Sequence, residues 1–274
     1  MTCDVEDYFQ VSAFDGIVPR EQWADVKCRI PRNIDKALQL FADHETKATF
    51  FTLGWVAEQH PEVLRRIVDQ GHEIASHGMY HRRVWSQTPD EFRQDAGRAR
   101  GLLEDVGGVA VIGYRAASWS IDKRTPWAHG ILAEIGYQYS SSVYPVSHDH
   151  YGVPDAPRQP YVIDGTGITE IPPSTARLLG RNIPVSGGGY FRLFPLSLSK
   201  RFINQHQLGE SYPYVFYFHP WELDPDQPRF KDAPAKARFR HYLNLDKFER
   251  RLCDLLSTYR WGRMDEIYLG GEPL

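Results

Sequence analysis

The sequence contains little cysteine and no arrangement of it that could organise a site. Among its 274 residues, the three cysteines Cys3, Cys28 and Cys253 are far apart and form no Cys-x-x-Cys pair. A cysteine-based zinc site and a framework of disulfides are therefore excluded as organising features. A chain of this length buries roughly three quarters of its unfolded surface, so it needs no covalent cross-links to be stable.

Long apolar runs and an excess of positive charge are also missing. No run of about 18 apolar residues occurs, so no membrane-spanning segment is predicted. The opening MTCDVEDYF has neither the basic start nor the apolar centre of a secretory signal, so we expect a cytoplasmic protein. The formal net charge of -3 argues against binding to nucleic acid. The sequence does not indicate an oligomeric state.

Short apolar segments alternate with amphipathic ones along the first half of the chain. Apolar residues at helical spacing over 33–45 and 90–108 predict helices, while KATFFTLGW and VAVIGYRA are typical of buried strands. Regular alternation of strand and helix is typical of parallel β-α units. We therefore predict an α/β fold, a distorted parallel (β/α) barrel of about seven strands.

The regular pattern weakens between about 145 and 200, where proline and glycine are frequent. It returns with the apolar segment YVFYFHPWE and an amphipathic stretch over 245–259. Because the two regular halves look like parts of one unit, we interpret 1–274 as a single domain. The irregular part is then a loop-rich insertion at about 145–200, made of loops and hairpins on the barrel face.

Acidic side chains stand at the end of the first predicted strand, TCDVED. Strand alternation puts Asp4 and Glu6 on the same face, with Asp7 next to them. Side chains at the carboxyl ends of barrel strands point to the edge where active sites form. A solvated acidic loop is the ordinary alternative for three such residues.

Two histidines, His77 and His81, follow the predicted strand HEIAS at a spacing of four residues. Imidazoles so spaced can bind one metal ion from a single turn. Arg115 follows the strand VAVIGY, where it could pair with a carboxylate, and His219 ends the apolar strand YVFYF, where it could act as a general acid or base. A rim salt bridge and a hydrogen-bonded core histidine are the structural alternatives.

Taken in order, the segments TCDVED, ATFF, GHEIASHGMYH, GYRAASWS and YFHPW resemble the motifs of NodB-type polysaccharide deacetylases, carbohydrate esterase family 4. The resemblance spans residues 2 to about 222. The DVEDYF opening looks closest to the branch of that family found at exopolysaccharide loci. The resemblance implies removal of N-acetyl groups from amino sugars of a polysaccharide or of a lipid-linked oligosaccharide precursor.

The resemblance also implies one divalent metal ion, most naturally Zn²⁺, bound by His77, His81 and a carboxylate of the first segment. The family has two adjacent aspartates there, a base and then a ligand, whereas this chain has Val5 in the second position. The ligand is then Glu6 or Asp7, and the same-face alternation favours Glu6.

The catalytic residues implied by the resemblance are Asp4 as general base, Arg115 as the group that holds this base in place, and His219 as general acid. Trp119 and Trp221 are candidates for a sugar-stacking wall. Buried tryptophan packing is the ordinary alternative for both rings.

Two further differences from the family pattern affect the acetate pocket. Arg115 is followed by Ala116 and Ala117 where the family has Arg-x-Pro, and Tyr217 replaces the leucine two residues before the acid histidine. Two other functions stay open: an amidase on a small amide with the same fold, and an inactive carbohydrate-binding relative. The second requires loss of the groups at Asp4 or His219, and both are present.

Overall fold

A mostly parallel sheet organises the computed structural model, which describes residues 1–149 and 151–270. Its strands are β1 (Thr2–Val5), β2 (Thr49–Thr52), β3 (Glu73–Ser76), β4 (Gly113–Tyr114), β5 (Tyr139–Ser140), β6 (Tyr161–Val162), β7 (Thr169–Glu170) and, later in the chain, β10 (Tyr217–Phe218). Between them β8 (Thr175–Leu178) and β9 (Arg181–Pro184) form a separate hairpin.

The order of strands across the sheet is β10-β1-β2-β3-β4-β5-β7-β6. All neighbours pair in parallel except β6 and β7, which are antiparallel. The sheet curls into a half-barrel with helices packed on it. The prediction of a distorted parallel β/α barrel is thus confirmed, with seven parallel strands and β6 added at one edge.

Ten α-helices occur in the described residues. They are α1 (Ile30–Asp43), α2 (Gly54–Gln59), α3 (Pro61–Asp69), α4 (Pro89–Gly107), α5 (Ala128–Ile135), α6 (Gly188–Leu193), α7 (Leu196–Gly209), α8 (Ala235–Tyr242), α9 (Leu245–Thr258) and α10 (Met264–Leu269). None of the described helices is both long enough and apolar enough to cross a membrane.

Local sequence explains where the longest helix begins and ends. Thr88 precedes α4, accepts the backbone N–H of Glu91, and has its own N–H bound by the Glu91 carboxylate. This reciprocal arrangement satisfies two free donors of the first turn. At the other end Gly108 has a φ of 65°, a left-handed conformation in which glycine is favoured.

The segment KATFFTLGW is only partly a strand. β2 ends at Thr52, and Gly54 starts the short helix α2. A Cβ atom at Gly54 would overlap Met79 Sδ and would lie 3.3 Å from the Ala99 Cα. The glycine is therefore needed for the close approach of α2 to α4.

Aromatic rings from both halves of the chain meet on one side of the sheet. Phe41 of α1 lies 5.9 Å from Phe50 of β2 and 6.1 Å from Phe218 of β10, measured between ring centroids. Phe218 in turn lies 5.7 Å from Phe248 of α9. The interpretation of 1–274 as one domain stays a prediction.

The loop-rich region expected at about 145–200 contains more regular structure than its composition suggests. It holds β6, β7, the hairpin β8–β9, α6 and the start of α7. β7 pairs in parallel with β5 and therefore belongs to the main sheet. The hairpin matches the expected kind of insertion, whereas β7 does not.

The contact between Gly113 and Tyr139 gives a test of the sheet. A Cβ at Gly113 would overlap the ring of Tyr139, and that ring cannot move freely because its hydroxyl donates to Glu73 Oε1 at 2.8 Å. We expect Gly113→Ala to lower the free energy of unfolding by about 1–3 kcal/mol. Gly101, on the exposed side of α4, has nothing within 4 Å of such a Cβ, so Gly101→Ala should raise it by about 0.5–1 kcal/mol.

Urea unfolding of both variants measures these changes. Gly113→Ala with unchanged stability would show that Tyr139 relaxes without cost. Equal destabilisation by Gly101→Ala would show that loss of glycine alone, and not the contact with the ring, is responsible.

Candidate active site

The residues singled out by sequence lie at one edge of the sheet. Asp4 lies in β1 and Glu6 just beyond it, His77 follows β3, Arg115 follows β4, and His219 follows β10. These strands are near neighbours and run in parallel, so their carboxyl ends share an edge. Four loops and one strand thus bring together residues more than 200 positions apart in the chain.

Three buried donors form a group that could hold a metal ion. Glu6, His77 and His81 each offer one ligand atom, and these atoms lie within 4.8 Å of one another. Glu6 Oε2 is 3.0 Å from His81 Nε2, yet this oxygen accepts no hydrogen bond from the described residues. A buried carboxylate oxygen that lies beside an imidazole nitrogen and accepts no hydrogen bond suits a shared cation.

The ring of His77 is oriented by a backbone carbonyl. Its Nδ1 lies 2.8 Å from the carbonyl oxygen of Arg115, which can only accept, so Nδ1 carries the proton. Nε2 is then the unprotonated atom available to a metal, an arrangement typical of ligand histidines. Burial lowers the pKa of His77 to about 4 and the pKa of His81 well below its usual range. Both rings are therefore neutral, as ligands must be.

Of the two first-segment carboxylates left open by sequence, Glu6 is the one that joins the donor group in this geometry. Asp7 is buried but points elsewhere: its Oδ1 accepts the Tyr8 N–H at 2.8 Å, and its Oδ2 accepts the Arg29 N–H at 2.5 Å. Asp7 therefore holds the loop that follows β1. Burial raises the pKa of Glu6 to about 8, against the opposing effect of His219, so a cation beside this carboxyl would favour its ionised form.

Arg115 is completely buried and donates four hydrogen bonds. One terminal nitrogen donates to Asp4 Oδ1 at 2.5 Å and to Thr2 Oγ1 at 2.9 Å. Nε and the other terminal nitrogen donate to the carbonyl and hydroxyl of Ser141 at 3.3 and 3.0 Å. Its guanidinium carbon also lies 3.9 Å from the ring centroid of Phe51. The geometry therefore holds Asp4 in one position, while the catalytic roles of Asp4 and Arg115 stay a prediction.

His219 lies between two carboxylates. Its Nε2 is 3.1 Å from Glu6 Oε1, and its Nδ1 is 3.3 Å from Glu222 Oε2. Burial alone would lower the pKa of His219, but the charges of Glu6 and Glu222 outweigh it and raise the pKa to about 9. The two neighbouring carboxyl groups therefore favour the protonated form of this ring.

Glu222 and Arg192 were not foreseen from sequence. Glu222 Oε2 accepts the backbone N–H of His219 at 2.9 Å, and its Oε1 accepts from Arg192 Nε at 2.7 Å. The HPWE segment already showed Glu222 three residues after His219, a spacing that suits a capping contact. Arg192 gave no such signal, because it lies in α6 within the irregular part of the sequence.

The two predicted stacking residues adjoin the site but are buried. Trp119 is 6% exposed, and its ring lies 4.8 Å from the guanidinium carbon of Arg115. Trp221 is 5% exposed and stacks on His219 at 5.1 Å. Both rings thus pack behind the polar groups, and sugar stacking on them stays a prediction.

Comparison with known families divides the chain into two parts. Residues 21–140 match the sequence pattern of the polysaccharide deacetylase family, and residues 141–269 match a domain of unknown function, DUF3473. Asp4 and Glu6 precede the first match, His77, His81 and Arg115 lie within it, and His219 lies within the second.

Curated relatives are deacetylases of acetylated glycans. Over 103 residues the chain is 46% identical to a chitooligosaccharide deacetylase of Sinorhizobium fredii. The matched region covers 36% of this chain and 48% of that protein. Over 110 residues it is 30% identical to a peptidoglycan deacetylase of Helicobacter pylori. This match covers 40% of this chain and 36% of that protein. The chain thus spans less than half the length of these relatives.

Solved structures share the fold along most of the chain. A candidate polysaccharide deacetylase from Mycobacterium smegmatis superposes with a TM-score of 0.60 at 20% identity, over 97% of this chain and 87% of that one. The allantoinase Puue superposes with a TM-score of 0.57 at 18% identity, over 88% of this chain and 74% of that one. At such identities the likeness shows a common fold.

Residues 21–140 identify this part of the chain as a polysaccharide deacetylase domain of the NodB type, carbohydrate esterase family 4, and the fold agrees with that class. Within this class it is similar to proteins named for chitooligosaccharide and peptidoglycan deacetylation. Its assignment to the exopolysaccharide-locus branch stays a prediction.

The donor group predicts a measurable metal stoichiometry. We expect one divalent ion per chain after loading with Zn²⁺, and loss of this ion in His77→Ala and His81→Ala, because each removes one of three protein ligands. His60→Ala is the matched control, since His60 lies at the start of α3 and pairs with Glu62. Elemental analysis after dialysis measures the occupancy. Full occupancy in both His77→Ala and His81→Ala would contradict the site.

Proposed function

We propose that this chain is a metal-dependent deacetylase that hydrolyses N-acetyl groups on amino sugars of a polysaccharide or its lipid-linked precursor. The observation that carries this proposal is the meeting of the donor group Glu6, His77 and His81 with Asp4 and His219 at one edge of the sheet. The curated relatives, named for related substrates, support the substrate class.

The three donors fit a divalent ion by their chemistry. Two neutral imidazoles and one carboxylate are a ligand set that Zn²⁺ accepts while keeping a coordination position open. Bound there, the ion would polarise the acetyl carbonyl and lower the pKa of a water molecule from about 15.7 towards about 7.

Asp4 is placed to take the proton of the attacking water. Its carboxylate is held by Arg115 and lies two residues before Glu6, on the same face of the chain. The water oxygen adds to the acetyl carbon, and the proton it loses goes to Asp4. Because Arg115 is itself held by Thr2 and Ser141, the base does not have to reorganise during the reaction.

His219 is placed to supply the proton that the leaving amine needs. When the carbon–nitrogen bond breaks, its electron pair stays on the sugar nitrogen, which takes a proton from His219 Nε2 and leaves as the amine. Acetate is the other product. Protonation of this kind contributes roughly 10²–10⁴-fold to the rate. Glu222 holds the other ring nitrogen and so aims Nε2 towards the metal donors.

One observation favours a second candidate, an amidase that acts on a small amide. Asp4, Glu6, His77 and His81 are each less than 5% exposed, and both site tryptophans are buried, so the site is more enclosed than an open glycan groove would be. Two assays distinguish the functions. A deacetylase should release acetate from a panel of N-acetylated oligosaccharides, whereas an amidase should release ammonia or an amine from small cyclic and linear amides.

Removal of the base or the acid should separate catalysis from metal binding. We expect Asp4→Asn and His219→Ala to keep the metal but to lose at least about 10²-fold in kcat on N-acetyl sugars. His219→Ala should retain more of its activity on an activated acetate ester, because that leaving group departs without a proton. Metal analysis and kcat on both substrates measure this. Loss of metal from Asp4→Asn would instead make Asp4 a ligand.

Glu222 should act through the orientation of His219. We expect Glu222→Gln to lower kcat on N-acetyl sugars by about tenfold to a hundredfold, with KM and metal content little changed. The matched control is Asp224→Asn, which alters a buried carboxylate nearby that pairs with Arg29 instead of His219. If the two variants lose activity equally on amide and ester substrates, the loss reflects local destabilisation and not positioning of the acid.

A further inference from the structure

The hairpin β8–β9 forms a two-stranded sheet of its own. Its pairing runs from Thr175 opposite Pro184 to Leu178 opposite Arg181. The loop between the paired ends consists of only two residues, Leu179 and Gly180. The hairpin is therefore a narrow projection with a well-defined tip.

The backbone at this tip does not suit the residue found there. Leu179 has a φ of 50° and Gly180 a φ of 75°, so both loop residues are left-handed, as a type I′ turn requires. Asn-Gly and Gly-Gly are preferred in such turns, because other side chains crowd the backbone when φ is positive. Leucine has neither the freedom of glycine nor the local hydrogen bonds of asparagine.

Packing does not explain the leucines of the tip. Leu179 is 95% exposed and Leu178 is 55% exposed. The fold therefore gains almost no burial from Leu179, which occupies an unfavourable conformation, and only partial burial from Leu178. Local rules are broken in this way mainly at sites of function.

Exposed basic residues flank the two leucines. Arg177 precedes them and Arg181 follows the turn, and both are exposed. Within the described ranges neither guanidinium has a carboxylate at ion-pair distance. Exposed apolar side chains flanked by cationic ones are typical of segments that bind at the boundary between lipid headgroups and acyl chains.

The base of the hairpin is joined to the candidate active site. Two residues after β9, the hydroxyl of Ser186 lies 3.2 Å from that of Tyr144, and its carbonyl accepts the Tyr217 N–H at 2.9 Å. Tyr144 and Tyr217 both pack against Trp119, with centroids 5.4 and 4.9 Å away. The base of the hairpin therefore contacts the aromatic residues that pack around Trp119, whose ring lies beside the guanidinium of Arg115.

We infer that the tip of this hairpin inserts Leu178 and Leu179 into the surface of an anionic lipid bilayer, while Arg177 and Arg181 contact lipid phosphates. A lipid surface fits better than a protein partner. Two side chains on a narrow turn offer far less than the roughly 1,000 Å² that a stable protein interface buries, whereas a bilayer accepts a small apolar point.

Vesicle binding of the full chain tests this inference without any turnover. Wild-type protein should co-sediment with vesicles of phosphatidylcholine and phosphatidylglycerol, and less with phosphatidylcholine alone. Leu179→Asn should bind the anionic vesicles about tenfold more weakly. It should also unfold at the same or a higher urea concentration, because Asn-Gly suits the turn. Reduced binding together with undiminished stability separates the inference from simple misfolding.

Two further variants serve as controls. Leu208→Asn changes a leucine of α7 that is 90% exposed but lies outside the hairpin, and it should bind vesicles as the wild type does. Replacement of Arg177 and Arg181 by glutamine together should abolish the preference for anionic vesicles. Absence of wild-type binding to either vesicle, wild-type affinity in Leu179→Asn, or an equal loss in Leu208→Asn would each overturn the inference.

The inference does not depend on the proposed deacetylase activity. Leu179→Asn should release acetate from a soluble chitooligosaccharide at the wild-type rate, since its side chain touches no site residue. Failure of wild-type acetate release would count against the proposed function and leave the vesicle result standing, while failure of vesicle binding would leave the proposed function unaffected.

Discussion

The buried guanidinium of Arg115 is the interaction on which the rest of the site depends. A charge this far from solvent is stable only when it is paired and fully hydrogen-bonded. Here it joins β1, through Asp4 and Thr2, to Ser141 just beyond β5, across the strands between them. The same residue presents its carbonyl to His77 and so sets which nitrogen of that ring is free. The proposed base, Asp4, and the proposed metal ligand His77 are thus oriented by the side chain and the backbone of one residue.

The network around Arg115 also explains how the site tolerates Val5. In a strand, successive side chains point to opposite faces, so a valine between Asp4 and Glu6 faces the core, where it is completely buried. The side chain of Glu6, which is longer than that of an aspartate, then reaches His77 and His81 from one position further along. In the proposed site the carboxylate ligand thus lies one residue further along than in the family pattern, directly before a turn that starts at Asp7.

Much of the fold and site could be predicted from the sequence because the signals were local. Helical periodicity in α1, α3, α4 and α9, and apolar segments that end in polar residues, follow directly from burial on one face. The choice between Glu6 and Asp7 needed coordinates, since it depends on which backbone amides the loop after β1 presents. Arg192 and β7 were missed because their positions are determined by distant partners, Glu222 and β5, that no local pattern encodes. The burial of Trp119 and Trp221 was likewise set by tertiary packing.

The boundary between the two family matches falls between the parts of the site. The imidazole donors lie before residue 140, whereas His219, Glu222 and Arg192 all lie after it, in the part that matches a domain of unknown function. The proposed acid and the groups that orient it therefore lie in the stretch that matches DUF3473, while the proposed imidazole ligands lie in the deacetylase match. If the proposal holds, neither stretch alone would contain the whole site, and the DUF3473 region would be a constituent of the active site and not an accessory to it.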